Sequence, residues 1–255
     1  MNYRIVSIDE SNLTEHPQFV CFINPKHPTY HLKVDWMRKQ LNQGLRIKLI
    51  YPENEKKPQG FIEYIPGEYT WRGVSAAGYM FIHCLWVSSS AWKGKGLGSI
   101  LIQDCYMDAM QNGRNGVAVL TSSDAFLAKA EIFTKNGFSI VDQAKPSFCL
   151  LTKQIKPGIV PQINNNSDKL SNYKGLHLIY AAQCPWVARF VAELDEIVKA
   201  KGLQITVTEL KTPQEAQQAL SPYGTFNLIN NGKLLADHYI SQTRFFNILK
   251  KEKLI

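Results

Sequence analysis

The stretch LWVSSSAWKGKGLGSILI, residues 85–102, decides the fold. It follows an apolar, strand-like run from residue 79 and passes through a basic loop, with glycines at 94, 96 and 98, into an apolar helical pattern. Glycine lets a backbone approach a bulky polyphosphate, and the N–H groups at a helix N-terminus attract anions. Lys93 and Lys95 add full positive charges to those dipoles. The loop is therefore predicted to cradle a phosphate-bearing ligand.

The spacing of the glycines separates several phosphate-binding loops. A Walker A loop requires Gly, four residues and Gly-Lys-Ser/Thr, and a dinucleotide fingerprint requires G-x-G-x-x-G, whereas this loop has G-x-G-x-G. The loop instead resembles the coenzyme A signature of the GNAT acyltransferase superfamily, Arg/Gln-x-x-Gly-x-Gly/Ala. Lys93 occupies the basic first position, Gly96 the fourth and Gly98 the sixth. Lysine in place of Arg or Gln is a mild departure from that signature.

The segments after the loop follow the order typical of GNAT domains. A helical pattern is followed by a strand over 116–121, a second helix over about 126–135 and an Asn136-Gly137-Phe138 turn. The resemblance covers roughly residues 1–154 and implies acetyl-CoA as the co-substrate, without a metal. It also implies coenzyme contacts at the end of the apolar strand and in the loop: Leu85, Trp86, Val87, Lys93, Gly94, Lys95, Gly96, Leu97, Gly98 and Ser99.

The catalytic residues are less clearly marked than the loop. Acetyl transfer to an amine requires a base that removes a proton from the ammonium group. Glu63 and His83, both in strand-like segments, are the candidate bases, although a strand Glu is more often solvent-facing and a strand His more often a core residue. Many GNAT enzymes protonate the leaving thiolate with a Tyr four residues before the Gly of the Gly-Phe turn. Phe133 stands there and cannot donate a proton.

A second pattern begins after a segment rich in Pro and Asn. Residues 155–173 are predicted to be a linker, and residues 174–255 follow the β-α-β-α-β-β-α order of a thioredoxin-like domain. The pairing of a GNAT domain with such a tail resembles bacterial acetyltransferases of the YoaP type. Cys184-Pro185 lies where that fold carries its active thiol, but Val187 replaces the resolving cysteine and Phe226 the usual cis-proline. Cys184 therefore remains open as an inert residue, a monothiol or a substrate contact.

Composition limits the other function classes. The net charge is +8, but the basic residues are spread along the chain without the motifs of nucleic-acid binding. The five cysteines form no C-x-x-C pair, which argues against a disulfide framework or a zinc site. The N-terminus lacks a signal-peptide pattern and no apolar run is long enough to span a bilayer, so we expect a cytoplasmic protein without membrane or nucleic-acid partners.

These observations predict an α/β chain with a GNAT fold followed by a smaller thioredoxin-like domain. The expected function is acetyl transfer from acetyl-CoA to a primary amine of a small molecule or peptide, by direct attack in a ternary complex. The alternative is a redox-responsive or non-catalytic acyl-CoA-binding protein whose C-terminal thiol domain is regulatory. The sequence leaves the acceptor and the oligomeric state open, a homodimer included.

Overall fold

A seven-stranded mixed sheet dominates the first part of the chain. The computed structural model describes residues 2–124 and 126–255. The strands of this sheet and two short flanking strands are β1 Tyr3–Ile8, β2 Arg46–Pro52, β3 Gly60–Pro66, β4 Val74–Ser75, β5 Tyr79–Val87, β6 Gly116–Ser122, β7 Ser139–Ala144, β8 Phe148–Gln154 and β9 Gln162–Ile163. The sheet order is β1-β2-β3-β5-β6-β8-β7, and only the β5–β6 pair is parallel.

Helices cover both faces of this sheet. Helix α1 is Tyr30–Leu41, α2 is Leu97–Gln111 and α3 is Ala130–Lys135. Trp36 and Met37 of α1 pack with Phe61 on one face, whereas Leu101 of α2 packs with Ile62 on the other. Because neighbouring residues of a strand point to opposite faces, Glu63 of β3 lies on the α1 face.

Strands β5 and β6 diverge along their length. They pair only where Tyr79–Ile82 faces Gly116–Val119, although β5 continues to Val87. The last five residues of β5 keep their other neighbour, because β3 pairs along Gly60–Pro66 with a bulge after Glu63. The end of β5 therefore has one edge free of β6, directly before the basic loop.

A four-stranded sheet forms the second part. Its strands are β10 Leu176–Tyr180, β11 Ile205–Glu209, β12 Phe226–Asn230 and β13 Lys233–Ala236, in the order β11-β10-β12-β13 with β10 and β11 parallel. The remaining helices are α4 Pro185–Lys201, α5 Pro213–Gln217 and α6 Gln242–Lys251. Thr212 and Glu215 form a capping box at α5, as the Thr-Pro-Gln-Glu sequence suggests. The element order is the one that the sequence predicts.

The two sheets share one apolar core. Val74 and Phe81 from the first part belong to the same buried cluster as Val187, Tyr223 and Phe226 from the second. The backbone N–H of Gly73 donates to Pro222 O at 3.0 Å, and the side chain of Gln217 donates to Glu68 O at 2.9 Å. The two parts are thus packed against each other through both apolar and hydrogen-bonded contacts.

Two local predictions differ from the structure. The segment expected to be an irregular linker contains β9, which pairs with β4, and Asn164 binds Ser75 Oγ at 2.7 Å and Gln217 O at 2.9 Å. Side-chain amides satisfy the backbone there without a periodic pattern. Helix α3 begins at Ala130 rather than near Phe126, whose ring contacts Tyr239 instead. Among the described residues no helix has the length and apolarity needed to cross a bilayer.

Candidate functional site

A cleft of about 450 Å³ lies between the end of β5, the basic loop and the start of α3. The expected coenzyme-contact residues line it, except Lys95, and the opposite wall comes from residues 128–135. Helix α2 begins inside the cleft, with Gly96 as its N-cap and no side-chain cap. The first N–H groups of an α-helix have no intrahelical acceptor, so those of Leu97 and Gly98 face an anion-binding position.

The three glycines of the loop have different roles. Gly94 and Gly96 have φ of +78° and +86°, which side chains with a Cβ rarely adopt, and a Cβ at either position would meet open space. A Cβ at Gly98 would lie 2.6 Å from Ile132 Cδ1 of α3. The first two glycines therefore shape the loop, whereas Gly98 permits close packing of α2 against α3.

Basic and aromatic side chains complete the cleft. Lys93, Lys129 and Lys135 line it, and Lys93 Nζ lies 5.3 Å from the ring centroid of the exposed Trp86. Trp92 Nε1 donates to Glu55 Oε1 at 3.0 Å and ties the loop to the segment between β2 and β3. This combination of N–H groups, lysines and apolar walls suits a ligand with phosphates and an apolar arm.

Phe133 lies in the core and does not reach the cleft. Its side chain is fully buried, and its ring packs edge-on against Phe138 at 5.4 Å between centroids. Gly137, with φ of +82°, ends α3 and returns the chain so that Phe138 N donates to Phe133 O. Phe133 is therefore a packing residue of α3.

Glu63 lies on the opposite face of the sheet, in a buried network of charges. Its Oε2 accepts from Lys33 Nζ at 2.6 Å, and its Oε1 accepts from Gln183 Nε2 at 2.7 Å. Lys33 Nζ also lies 3.9 Å from the ring centroid of Trp36. Burial opposes the charge of Glu63, but the Lys33 ammonium and the hydrogen bonds outweigh it and lower the pKa to about 2.

His83 has both ring nitrogens engaged. The backbone N–H of Trp71 donates to Nε2 at 2.9 Å, so Nε2 is unprotonated and Nδ1 carries the hydrogen that faces Glu63 Oε1 at 3.2 Å. Burial lowers the pKa of His83 to about 4, although the hydrogen bond to Glu63 opposes this shift. The imidazole is therefore neutral at pH 7, and its lone pair is already used.

Arg72 and Gln183 join the two parts of the chain at this network. Arg72 Nη1 donates to Gln183 Oε1 and to Thr225 Oγ1, each at 3.2 Å, and Nη2 donates to His83 O at 3.1 Å. Both side chains are buried. Gln183 thus bridges Arg72 and Glu63, and a residue of the second part orients the carboxylate of the first.

Three cysteines meet beside Glu63. A cavity of about 20 Å³ is lined by Cys21, Cys84 and Cys184 together with Lys33, Glu63 and Gln183. Cys84 is opposite Glu63 in the β3–β5 pair, and Cys184 is the N-cap of α4. We call this cavity, with the residues named here, the junction cavity, because both parts of the chain contribute to it.

The predicted site residues thus fall into two groups on opposite faces of the sheet. The loop residues come together in the cleft, and Glu63 and His83 come together at the junction. Sequence reasoning missed Lys33, Arg72, Gln183 and Cys21, because these come from separate segments that share no motif. Only Gln183 carried a signal, as the neighbour of Cys184-Pro185. No metal-binding cluster of His, Cys, Asp or Glu occurs in the ranges that the structure describes.

Comparison of the sequence with known proteins points to one family of enzymes. Residues 12–138 match the Acetyltransferase (GNAT) family. These residues belong to the GNAT family of acetyltransferases. Residues 204–247 match the YoaP-like family, and the chain is 26% identical over 253 residues to the "Uncharacterized N-acetyltransferase YoaP" of Bacillus subtilis (strain 168), covering 96% of this chain and 97% of that protein. The prediction of a GNAT acetyltransferase that uses acetyl-CoA is confirmed.

Solved GNAT structures are similar to part of the chain. An acetyltransferase of the GNAT family from Staphylococcus aureus Mu50 is 15% identical with a TM-score of 0.44, covering 61% of this chain and all (100%) of that one. The PaiA N-acetyltransferase from Thermoplasma acidophilum in complex with coenzyme A is 15% identical with a TM-score of 0.40, covering 61% of this chain and 100% of that one.

Proposed function

We propose that this GNAT acetyltransferase transfers the acetyl group of acetyl-CoA to a primary amine of a small molecule or peptide, by direct attack in a ternary complex. The observation that carries the proposal is the cleft at the start of α2, where uncapped N–H groups and three lysines lie beside the free edge of β5. The coenzyme phosphates would be held by residues 93–99. The backbone of Leu85, Trp86 and Val87 would hold the pantetheine arm and polarise the acetyl carbonyl.

Glu63 is the proposed base. It lies on β3 opposite Cys84 of β5, it is ionised at neutral pH because its pKa is about 2, and it lines the junction cavity. His83 is less suited to this role, since its Nε2 lone pair accepts the Trp71 N–H. We assign His83 the role of holding the Glu63 carboxylate in place through Nδ1. A carboxylate with a low pKa is a weak base, so the effect of removing it should be near the lower end of the usual ~10²–10⁴-fold range.

The second part of the chain would form one wall of the acceptor site. Gln183, Cys184 and Pro185 cover Glu63, and the cavity left between them is about 20 Å³, room for roughly one water molecule. An acceptor amine therefore reaches Glu63 only when the start of α4 moves away. We propose a thioredoxin-like fold for residues 174–255 after a GNAT domain of residues 1–154 and a connection over 155–173. The strand order and the position of Cys184 before α4 support this division.

The location inside the cell follows the co-substrate. The five cysteines are all free, and acetyl-CoA is a metabolite of the cell interior, so we propose a cytoplasmic protein.

The experiment is a screen of primary amines with detection of released coenzyme A thiol, followed by Glu63→Gln on the best acceptor. We expect Glu63→Gln to lower turnover at least about tenfold with little change in acetyl-CoA affinity, because the cleft is on the other face of the sheet. Glu68→Gln, at a carboxylate that binds Arg114 away from both sites, is the matched control. Unchanged turnover in Glu63→Gln would exclude Glu63 as the base, and no thiol release with any amine would count against amine transfer itself.

A further inference from the structure

The junction cavity concentrates thiols that the transferase reaction does not use. Three of the five cysteines line a cavity of about 20 Å³, although they come from a loop, from β5 and from the start of α4. All three residues are partly exposed. The other two lie elsewhere: Cys105 is buried in α2, and Cys149 of β8 accepts a hydrogen bond from Gln143 Nε2 at 3.4 Å.

Within the cavity, Cys21 and Cys84 form a pair. Their thiols interact directly, and this contact lowers the pKa of Cys84 against the effect of burial, whereas it raises the pKa of Cys21 together with burial. Among the charges near Cys84, the Glu63 carboxylate raises the pKa of the thiol, whereas Arg72 and Lys33 lower it. Cys84 is thus the more acidic thiol of the pair, and Cys21 is the less acidic one.

The thiol of Cys184 has a different environment. Burial raises the pKa of its thiol, although the N–H groups of Val187 and Trp186 at the start of α4 point at the sulfur and oppose that shift. The position three residues later, where a resolving cysteine would stand, is occupied by the buried Val187. Cys184 therefore has no cysteine partner on its own helix, whereas the thiols of Cys21 and Cys84 contact each other.

The size of the cavity limits which oxidants can react with the thiols. About 20 Å³ holds roughly one water molecule, so an organic disulfide does not fit beside Cys84, and the smallest hydroperoxide, hydrogen peroxide, is the oxidant whose size matches best. Lys33 and Gln183, which line the same cavity, carry N–H groups that can donate to the departing oxygen.

We propose that Cys21 and Cys84 form a peroxide-reactive dithiol site at the junction of the two parts of the chain. The Cys84 thiolate attacks one oxygen of a hydroperoxide, the O–O bond breaks, and the alkoxide or hydroxide that leaves takes a proton from Lys33 or water. Cys84 is then a sulfenic acid. The Cys21 thiol attacks that sulfur, an S–S bond forms and water leaves, so two thiols and one hydroperoxide yield one disulfide, one alcohol and one water molecule.

The test is stepwise oxidation of the reduced, full-length chain with hydrogen peroxide. After the peroxide is destroyed with catalase, free thiols are blocked with N-ethylmaleimide in denaturant and the peptides are identified by mass spectrometry. We expect a disulfide between the peptides of Cys21 and Cys84, with Cys84 consumed at least about tenfold faster than Cys149. A disulfide that contains Cys184 instead, or equal consumption of Cys84 and Cys149, would overturn the proposal.

Cysteine-to-serine variants assign the two roles. In Cys21→Ser the sulfenic acid of Cys84 should persist and be trapped by dimedone, whereas in Cys84→Ser neither a disulfide nor a dimedone adduct should form at the cavity. Cys149→Ser and Cys184→Ser should give the Cys21–Cys84 disulfide at the wild-type rate, and circular dichroism checks that each variant is folded. Rapid disulfide formation in Cys84→Ser would contradict the assigned roles. The oxidation needs neither acetyl donor nor acceptor, so its outcome is independent of the proposed transferase function.

Discussion

The cleft and the junction cavity differ in how their residues are distributed along the chain. The cleft holds about 450 Å³, and most of its walls come from two short segments, residues 85–99 and 128–135. The junction cavity holds about 20 Å³, and its walls come from residues between 19 and 185. The cleft offers mainly backbone N–H groups, whereas the junction offers paired side chains. A site built from contiguous backbone is visible as a motif, and a site built from distant side chains appears only in the folded molecule.

The junction should be the more sensitive of the two sites to loss of a single charge. Lys33→Met leaves the Glu63 carboxylate buried without its cation, which should cost about 3–5 kcal/mol of unfolding free energy in denaturant titrations. Lys39→Met, at an exposed position of the same helix, is the control and should change the free energy by less than about 0.5 kcal/mol. The double variant Lys33→Met/Glu63→Gln should regain part of the loss. If Lys33→Met is as stable as Lys39→Met, the ion pair does not form in solution.

The pH dependence of stability tests the same network through His83. Its pKa is lowered to about 4 from 6.5, so the unfolded chain binds a proton before the folded chain does as the pH falls. The stabilisation is therefore complete above pH 6.5 and is lost between pH 6.5 and 4, by about 2–3 kcal/mol. His83→Gln should lack this part of the loss, whereas His31→Gln, at an exposed position of α1, should retain it. Parallel pH profiles for wild type and His83→Gln would rule out a buried neutral His83.

In the cleft, we expect acetyl-CoA affinity to depend on the backbone conformation of the loop rather than on the stability of the protein. Gly96→Val forces a β-branched residue to φ of +86° at the start of α2, which should turn the N–H groups away and lower acetyl-CoA affinity at least about tenfold in calorimetry. Gly113→Val suffers a similar strain at φ of +65° beyond the end of α2, with open space around it and no contact with the cleft. It should lose stability to a similar extent but bind acetyl-CoA normally. Equal acetyl-CoA affinities in the two folded variants would contradict the assignment of residues 93–99 as the coenzyme site.

The smallest expected effect is a difference in acetyl-CoA binding between variants of two nearby lysines. Lys93 lines the cleft and Lys95 does not, although the resemblance implies coenzyme contacts at both. Lys93→Ala should weaken acetyl-CoA binding about three- to tenfold, and the loss should shrink at high salt because screening weakens the charge contact. Lys95→Ala should have less than about half of that effect on the binding free energy. A larger effect at Lys95 would mean that the loop turns when the coenzyme binds.

Much of the fold was predictable because its signals are local. The run from Tyr79 to Val87 is a strand with those bounds, and Asn136-Gly137 ends α3 as the positive φ of glycine requires. The sequence at 155–173 predicts a linker, since hydrogen bonds from Asn side chains leave no periodic pattern. The roles of the three loop glycines needed coordinates as well: among Gly94, Gly96 and Gly98, a neighbouring side chain excludes a Cβ at Gly98 alone.

The junction was not predictable for a different reason. Glu63 and His83 were identified as polar residues in apolar strands, but Lys33, Arg72 and Gln183 look like ordinary residues of an amphipathic helix or a loop. Arg72 and Gln183 are buried where two parts of the chain, more than a hundred positions apart, pack together, and Lys33 is buried against Glu63 in the same network. No local pattern carries the information that a charge will lose its water, so the pKa shifts and the cluster of thiols follow from tertiary packing alone.

Arg72 also bears on how the chain is made. Its acceptors Gln183, Tyr223 and Thr225 lie 111, 151 and 153 positions later in the sequence. During synthesis from the N-terminus, the strands of the first sheet leave the ribosome well before those acceptors exist. Until they do, the guanidinium of Arg72 keeps its water and the apolar side of Phe81 has no cover from α4. The junction therefore closes last. In a nascent chain that stops short of residue 225, the strands of the first sheet are present, but the contacts that cover the sheet at the junction are incomplete.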